Sequence, residues 1–295
     1  MLSSTMPETT SRMFLGARSE RRQPAGLDGR PWIVRLRRAL RGDLFVLHFQ
    51  PIVGVADRRV SHHEALLRLA DEPDGSLIAP ARFLAAAERH GLIRDIDRMV
   101  IDRVTALLGG DSSRAAAAGS LTRSDDRVPA ATPHTRIAVN VSALSVTDPA
   151  MLSYLAERLH SRGVEPSRLV VEITETAAIS NMDRAKSFCA GVLALGCEVA
   201  LDDFGAGFGS FQYLKHLPFS YLKIDGDFIR RLPVSRTDQL VVRALAGVVR
   251  GMGAQTIAEF VGDETTIEML RSYGVDYAQG FAVGRPQPTL AAYRG

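Results

Sequence analysis

The feature that most restricts the fold is an alternation repeated along the chain. Short apolar runs, most of them closed by a polar residue, are separated by longer stretches with helical periodicity. The runs are FVLHFQPIV (45–53), RVSHHEALLRL (around Val60 to Leu69), RIAVNV (136–141), RLVVEI (168–173), EVALDDF (198–204), YLKI (221–224), QTIAEF (255–260) and DYAQGF (276–281). Between most of them lie segments such as PARFLAAAERHG, MLSYLAERLHSRG, MDRAKSFCAGVLALG, LVVRALAGVVRGMG and ETTIEMLRSYG, with apolar residues at helical spacing. Strands alternating with helices this often predict a parallel sheet covered by helices. About eight strands in roughly 250 ordered residues suit a closed (β/α)8 barrel of the TIM type better than an open doubly wound sheet. No GxGxxG follows a strand, so the dinucleotide-binding fold lacks its usual mark. The first two runs are joined only by VADRR, too few residues for a parallel crossover, which predicts an antiparallel N-terminal strand pair.

Two polar stretches interrupt this pattern. Residues 1–29, rich in Ser, Arg, Gly and Pro, read as a disordered tail. Residues 109–135, GGDSSRAAAAGSLTRSDDRVPAATPHT, read as a flexible insertion on the surface and not as a domain boundary. One barrel domain is therefore expected over residues 30–295.

The basic residues sharpen what partners to expect. Of 36 Lys and Arg, 33 are Arg, and the only lysines are Lys186, Lys215 and Lys223. No basic run carries interleaved aromatics, so duplex nucleic acid is not an expected partner. No apolar stretch reaches the ~18 residues of a membrane span, and the N-terminus has no apolar signal core. The two cysteines, Cys189 and Cys197, show neither CxxC spacing nor a nearby His cluster and read as reduced thiols of a cytoplasmic protein.

The polar residues at the run ends carry the chemistry. RIAVN ends on Asn140, RLVVE on Glu172, EVALDD on Asp202 and Asp203, SYLK on Lys223, TIAE on Glu259 and DYAQ on Gln279; the second run contains Glu64. One carboxylate beside an aliphatic strand is explained by a helix cap or an ion pair. Recurrence on strand after strand is not, because a barrel gathers its C-terminal strand ends into one mouth. Five carboxylates packed there cannot all stay ionised without cations. Oxygen ligands without His or Cys select hard ions, Mg²⁺, Mn²⁺ or Ca²⁺. The doublet Asp202-Asp203 suggests a carboxylate bridging two ions, as in two-metal sites that clamp a phosphodiester. A rare lysine at a strand end suits a nucleophilic water or a phosphate; chance retention is the plain alternative. The glycine-rich FGAGFGS (204–210) is either a tight turn or a segment folded over the site.

These segments together resemble a known family. Gln50-Pro51 in FQP, EALLR from Glu64 to Arg68, NVS from Asn140, EITE from Glu172, DDFGAG from Asp202, LKID from Leu222, AE at Glu259 and AQGF from Ala278 are similar, in order and spacing, to the EAL domain of cyclic di-GMP phosphodiesterases. The resemblance covers roughly residues 40–290.

It implies hydrolysis of cyclic di-GMP to the linear dinucleotide pGpG with two Mg²⁺ or Mn²⁺ ions per site. Glu64, Asn140, Glu172 and Asp202 would hold one ion, Asp202 and Asp203 the second, with Glu259 at or near it as the base. Lys223 would touch the attacking water, and Glu175 would anchor the glycine-rich turn. Gln50, Leu67, Arg68, Asp225 and Gln279 would contact the nucleotide. It also implies a homodimer formed near the aromatic-rich segment SFQYLKHLPFSYL (210–222), whose other reading is a core helix.

The chain departs from the family pattern at two places. Glu259-Phe260-Val261-Gly262 stands where EGVE is common, and Ala206, Phe208 and Gly209 stand where Thr, Tyr and Ser are usual. The alternative is thus a catalytically weak or inactive EAL module that binds cyclic di-GMP or a partner protein as a regulator.

Overall fold

The computed structural model describes residues 32–70, 75–110, 131–132, 134–205 and 213–290. Eight strands form where the apolar runs lie: β1 (Phe45–Gly54), β2 (Val60–Leu69), β3 (Ile137–Asn140), β4 (Leu169–Thr174), β5 (Glu198–Phe204), β6 (Tyr221–Ile224), β7 (Gln255–Ala258) and β8 (Tyr277–Gln279). They close into a barrel in sequence order. The expected antiparallel pair is β1 against β2, with Gln50 opposite Glu64. β1 also closes the barrel antiparallel to β8, where Ile52 faces Gln279. One reversed strand therefore sits in a sheet whose other junctions are parallel. The β/α barrel expectation holds, with a closure the sequence pattern did not specify.

Ten helices are present among the described residues: α1 (Trp32–Arg41), α2 (Leu84–Arg89), α3 (Ile93–Leu108), α4 (Ala143–Val146), α5 (Pro149–Ser161), α6 (Glu175–Ser180), α7 (Met182–Ala194), α8 (Gly226–Ile229), α9 (Arg236–Gly251) and α10 (Glu264–Tyr273). Local chemistry sets their ends. Asp148 caps α5 by accepting from the Ala150 N–H, with Pro149 in the first turn. Asp263 caps α10 by accepting from Thr266, and Gly274 ends it in the left-handed conformation (φ 76°).

Strand side chains alternate between two apolar compartments. Outward-facing residues such as Phe45, Leu47, Leu67, Val139 and Val171 pack beneath the helices. Inward-facing Ile52, Ala138, Val170, Ala200, Tyr221 and Ile257 fill the lumen as a separate cluster. The lumen is therefore filled by side chains and forms an apolar floor beneath the mouth.

The 1–29 tail lies outside the described residues, as do 111–130 and 133 of the 109–135 stretch. The described ends of that stretch are held by one side chain, Arg168, which donates to the carbonyls of Leu108, Thr132 and Thr135, each at 2.9 Å. Among the described residues no helix is long and apolar enough to cross a membrane.

Candidate active site

The mouth is built by a parity rule. Two residues beyond a lumen-floor residue, each strand places a polar side chain on the same inward face. Ala138 is followed by Asn140, Val170 by Glu172, Ala200 by Asp202, Tyr221 by Lys223, Ile257 by Glu259, and Tyr277 by Gln279. On β2, His62 precedes Glu64; on the reversed β1, Gln50 precedes Ile52. The layer is thus supplied by all eight strands.

Lys223 stands at its centre and is fully buried. Its Nζ lies 2.8 Å from Glu172 Oε2, 2.9 Å from Asp202 Oδ1, 2.9 Å from Glu259 Oε1 and 3.3 Å from Glu64 Oε2. Glu64 collects further donors: Asn140 Nδ2 at 2.7 Å and Gln279 Nε2 at 2.6 Å. Gln279 also donates to Gln50 Oε1 at 3.3 Å, and Gln50 donates to the Gly284 carbonyl at 3.0 Å.

One ammonium cannot neutralise five carboxylates, and their proton affinities say so. Burial raises Glu172 well above the usual carboxylate range, with Glu64 and Asp202 adding to it against the pull of Lys223. Burial likewise lifts Asp202, and lifts Glu259 to about 8 despite Lys223. Asp203 is pushed up to about 9 by burial and then by Asp202 and Glu259. Glu64 is the exception: burial pushes it up, but Lys223 and the Gln279 and Asn140 donors hold it below its ordinary value. Lys223 is lowered by burial and raised much further by the surrounding carboxylates.

The sequence doublet posed a geometric problem, since neighbouring strand residues face opposite ways. The backbone solves it at Asp203, which takes the left-handed conformation (φ 55°) where the β5–β6 register shifts. Such a turn costs about 1–2 kcal/mol in most residues and less in Asp. Its result is that carboxylate oxygens of Asp202, Asp203 and Glu259 lie within 4.8 Å of one another and could hold a metal ion. Glu172 Oε1 is buried without a hydrogen-bond partner. An orphaned buried carboxylate oxygen and four carboxyls shifted upward fit a site for hard divalent cations.

The other sequence-predicted residues are distributed around this layer. Glu175 opens α6, and its Oε2 accepts from the Gly205 N–H at 2.8 Å. The remainder of the glycine-rich segment (206–212), with Ala206, Phe208 and Gly209, lies outside the described residues. Arg68 is on the lumen face and donates to the Leu67 carbonyl at 2.8 Å. On β1 it pairs with Val46, diagonal to His48, whose pKa is lowered by burial and by the Arg68 charge. Asp225 caps α8, accepting from the Asp227 N–H at 2.7 Å.

Leu67 presents its backbone and not its side chain on this side, its carbonyl accepting from Arg68. Its side chain is buried in the outer core among Phe45, Leu47 and other outward residues, because the parity that turns Glu64 and Arg68 inward turns Leu67 outward. The leucine on the lumen face is Leu66. The aromatic-rich segment is likewise mostly structural where it is described: Leu214, Leu217 and Leu222 belong to the core, and Phe219 packs against it.

Two supporting residues escaped sequence reasoning. Asp97 on α3 is buried and accepts from Ser142 N (3.0 Å) and Ser142 Oγ (2.6 Å), fixing the turn after Asn140. No spacing signal marked it. His62, one pleat below Glu64, is buried between Tyr221 and Tyr277 and held neutral, its pKa lowered to about 3 by burial and then by Arg136 and Lys223. Its shared parity with Glu64 was a usable signal.

Comparison with known proteins gives a consistent picture. The sequence profile of the EAL domain matches residues 33–286. The cyclic di-GMP phosphodiesterase PdeB of Shewanella oneidensis is 38% identical over 263 residues, which are 89% of this chain and 28% of that protein. The cyclic di-GMP phosphodiesterase PdeF of Escherichia coli is 33% identical over 256 residues, 87% of this chain and 32% of that protein. The chain thus spans about a third of the length of these relatives. Among solved structures, the Xanthomonas citri FimX EAL domain in complex with c-diGMP superposes with a TM-score of 0.75 at 33% identity, covering 89% of this chain and 95% of that one.

Proposed function

The chain belongs to the EAL domain family, and on that premise we propose that it hydrolyses cyclic di-GMP to the linear dinucleotide pGpG. The observation that carries this reading is the single lumen layer to which all eight strands contribute a polar side chain, with five carboxylates gathered about one buried ammonium. Glu64, Asn140, Glu172 and Asp202 would hold one cation; Asp202, Asp203 and Glu259 would hold the other. Two Mg²⁺ or Mn²⁺ ions would supply Lewis acidity and charge neutralisation at the phosphodiester.

The chain's own groups do the rest. Glu259 accepts the proton of the attacking water at its carboxylate, and Lys223 orients that water through Nζ. Arg68 pairs with a phosphate as a planar, charged donor. Gln50, Leu67, Asp225 and Gln279 line the nucleotide. Glu175 holds the start of the glycine-rich turn through Gly205.

The test is incubation of purified protein with cyclic di-GMP, with and without Mn²⁺, followed by chromatography of the products. The linear dinucleotide should form only with the cation. Glu259→Gln should lower turnover by orders of magnitude and leave nucleotide binding in place. Binding without cleavage by the unaltered chain would instead favour a regulatory EAL module. The observation on that side is Phe260, a bulky residue on left-handed backbone (φ 55°) where the family commonly has glycine.

We also propose that the protein works in the cytoplasm. The support is that Cys189 and Cys197 are buried free thiols, each pushed up to about 12 by burial and hence unreactive. A homodimer, a regulatory partner protein and a single barrel domain over 30–295 belong to the same proposal. Light scattering with activity measured across a concentration series tests the dimer. Phe211, the natural residue to alter, lies outside the described residues.

A further inference from the structure

Phe260 occupies a position whose backbone calls for glycine. Its neighbours are tied down on both sides: the Glu259 N–H donates to the Ile224 carbonyl at 3.2 Å, and the Val261 N–H to the Gln279 carbonyl at 3.0 Å. The Val261 carbonyl in turn accepts from Ala282 at 3.0 Å. Between these anchors the chain turns through φ 55°, unfavourable for a side chain with a bulky Cβ substituent. The ring meets two residues of the preceding strand–helix unit, β6 and α8. It lies against Gly226, where an added Cβ would sit 2.7 Å from the ring Cγ. The Arg230 guanidinium, four residues further along the same segment, stands 4.0 Å from the ring centroid and is itself paired with Asp227 at 2.8 Å.

We infer that Phe260 is a positioning residue. Its ring wedges the end of β7 against the first turn of α8 and so sets the angle at which the adjacent Glu259 carboxylate meets Lys223 and the Asp202-Asp203 doublet. Gly226 is the matching half of the device, because only a residue without Cβ leaves room for the ring. The unfavourable backbone at Phe260 is held by its anchored neighbours and by the two ring contacts. Displacing the ring should therefore move Glu259 by a fraction of an ångström, enough to matter to chemistry and too little to matter to the fold.

The turnover part of the test rests on the phosphodiesterase reading; the metal-binding part does not. Phe260→Gly, Phe260→Tyr, Gly226→Ala and the double variant Gly226→Ala/Phe260→Gly are compared by kcat and KM with cyclic di-GMP, by calorimetric titration with Mn²⁺ alone, and by thermal melting. Gly226→Ala should lower kcat about tenfold, with KM near the original value and Mn²⁺ affinity weakened. Phe260→Tyr should stay close to the unaltered protein, since the ring is kept. The double variant should be no worse than Phe260→Gly alone, because removing the ring makes room for the new Cβ. Additive losses in the double variant would overturn the wedge. So would Phe260→Gly with unchanged kcat and Mn²⁺ affinity and only a lowered melting temperature. If the unaltered protein shows no turnover, the phosphodiesterase reading fails, and the wedge is decided by the Mn²⁺ affinities across the same four variants.

Discussion

Replacing Lys223 with Met removes the charge at the centre of the mouth while keeping most of its volume. The Nζ is fully buried and within 2.8–3.3 Å of four carboxylate oxygens. Removing one partner from a buried ionic cluster costs about 3–5 kcal/mol, because the remaining charges lose their compensation. In a domain of this size that corresponds to a fall in Tm on the order of 10 °C. The pH dependence fixes the cause. Without the ammonium, Glu172, Asp202 and Glu259, already raised, rise further in the folded state. A carboxyl raised on folding contributes stability that is present below its unfolded value of ~4 and lost as pH rises through the folded value. The gap between variant and unaltered protein should therefore be small near pH 5 and widest near pH 8. Denaturant unfolding with a chelator present, at both pH values, measures it. Mn²⁺ at a hundredfold over its Kd should return about 2.7 kcal/mol to the variant. A variant as stable as the unaltered protein at pH 8 in chelator would refute the reasoning, since it would mean the lysine was not compensating those carboxylates.

Asp202→Asn should abolish turnover and weaken Mg²⁺ binding in calorimetry, while leaving the melting temperature in chelator unchanged or higher, because it relieves carboxylate repulsion. Asp97, raised to about 6 by burial against the Ser142 and Ser145 hydrogen bonds, contributes stability that is full below ~4 and lost as pH rises through about 6. Asp97→Asn keeps an oxygen for the Ser142 donors, so it should be the more stable protein at pH 7.5 and lose that advantage by pH 4, as paired melting curves would show.

Much of the fold was legible because period-2 and period-3.6 patterns are written in residue types. Each strand run appears within a residue or two of its predicted place, and Asn140, Glu172, Asp202, Lys223, Glu259 and Gln279 were conspicuous as polar residues on apolar runs. Helix α3 was legible in the same way, since Ile93, Ile96, Val100, Val104 and Leu107 of IRDIDRMVIDRVTALL keep an apolar stripe at helical spacing with the charged residues between them. The motif around Glu64 does not by itself state parity: counting two from Glu64 puts the Leu66 side chain on the lumen face and turns that of Leu67 into the outer core. The left-handed turns at Asp203 and Phe260 had only weak sequence signals, an Asp that tolerates the conformation and a Phe where the family commonly has Gly. Both depend on register and on neighbours contributed by other strands.

The distribution of the mouth groups along the chain has a consequence for how the molecule could be divided. Cut at the turn after α7, near Gly196, the first fragment carries Glu64, Asn140 and Glu172, and the second carries Asp202, Asp203, Lys223 and Glu259. The first fragment lacks the Asp202, Asp203 and Glu259 group and the second lacks Glu64, Asn140 and Glu172, and neither can satisfy its unpaired strand edges alone. The site behaves as a logical AND of the two halves. Fused to two interacting partners, they would report association through a signal that is silent until the barrel closes.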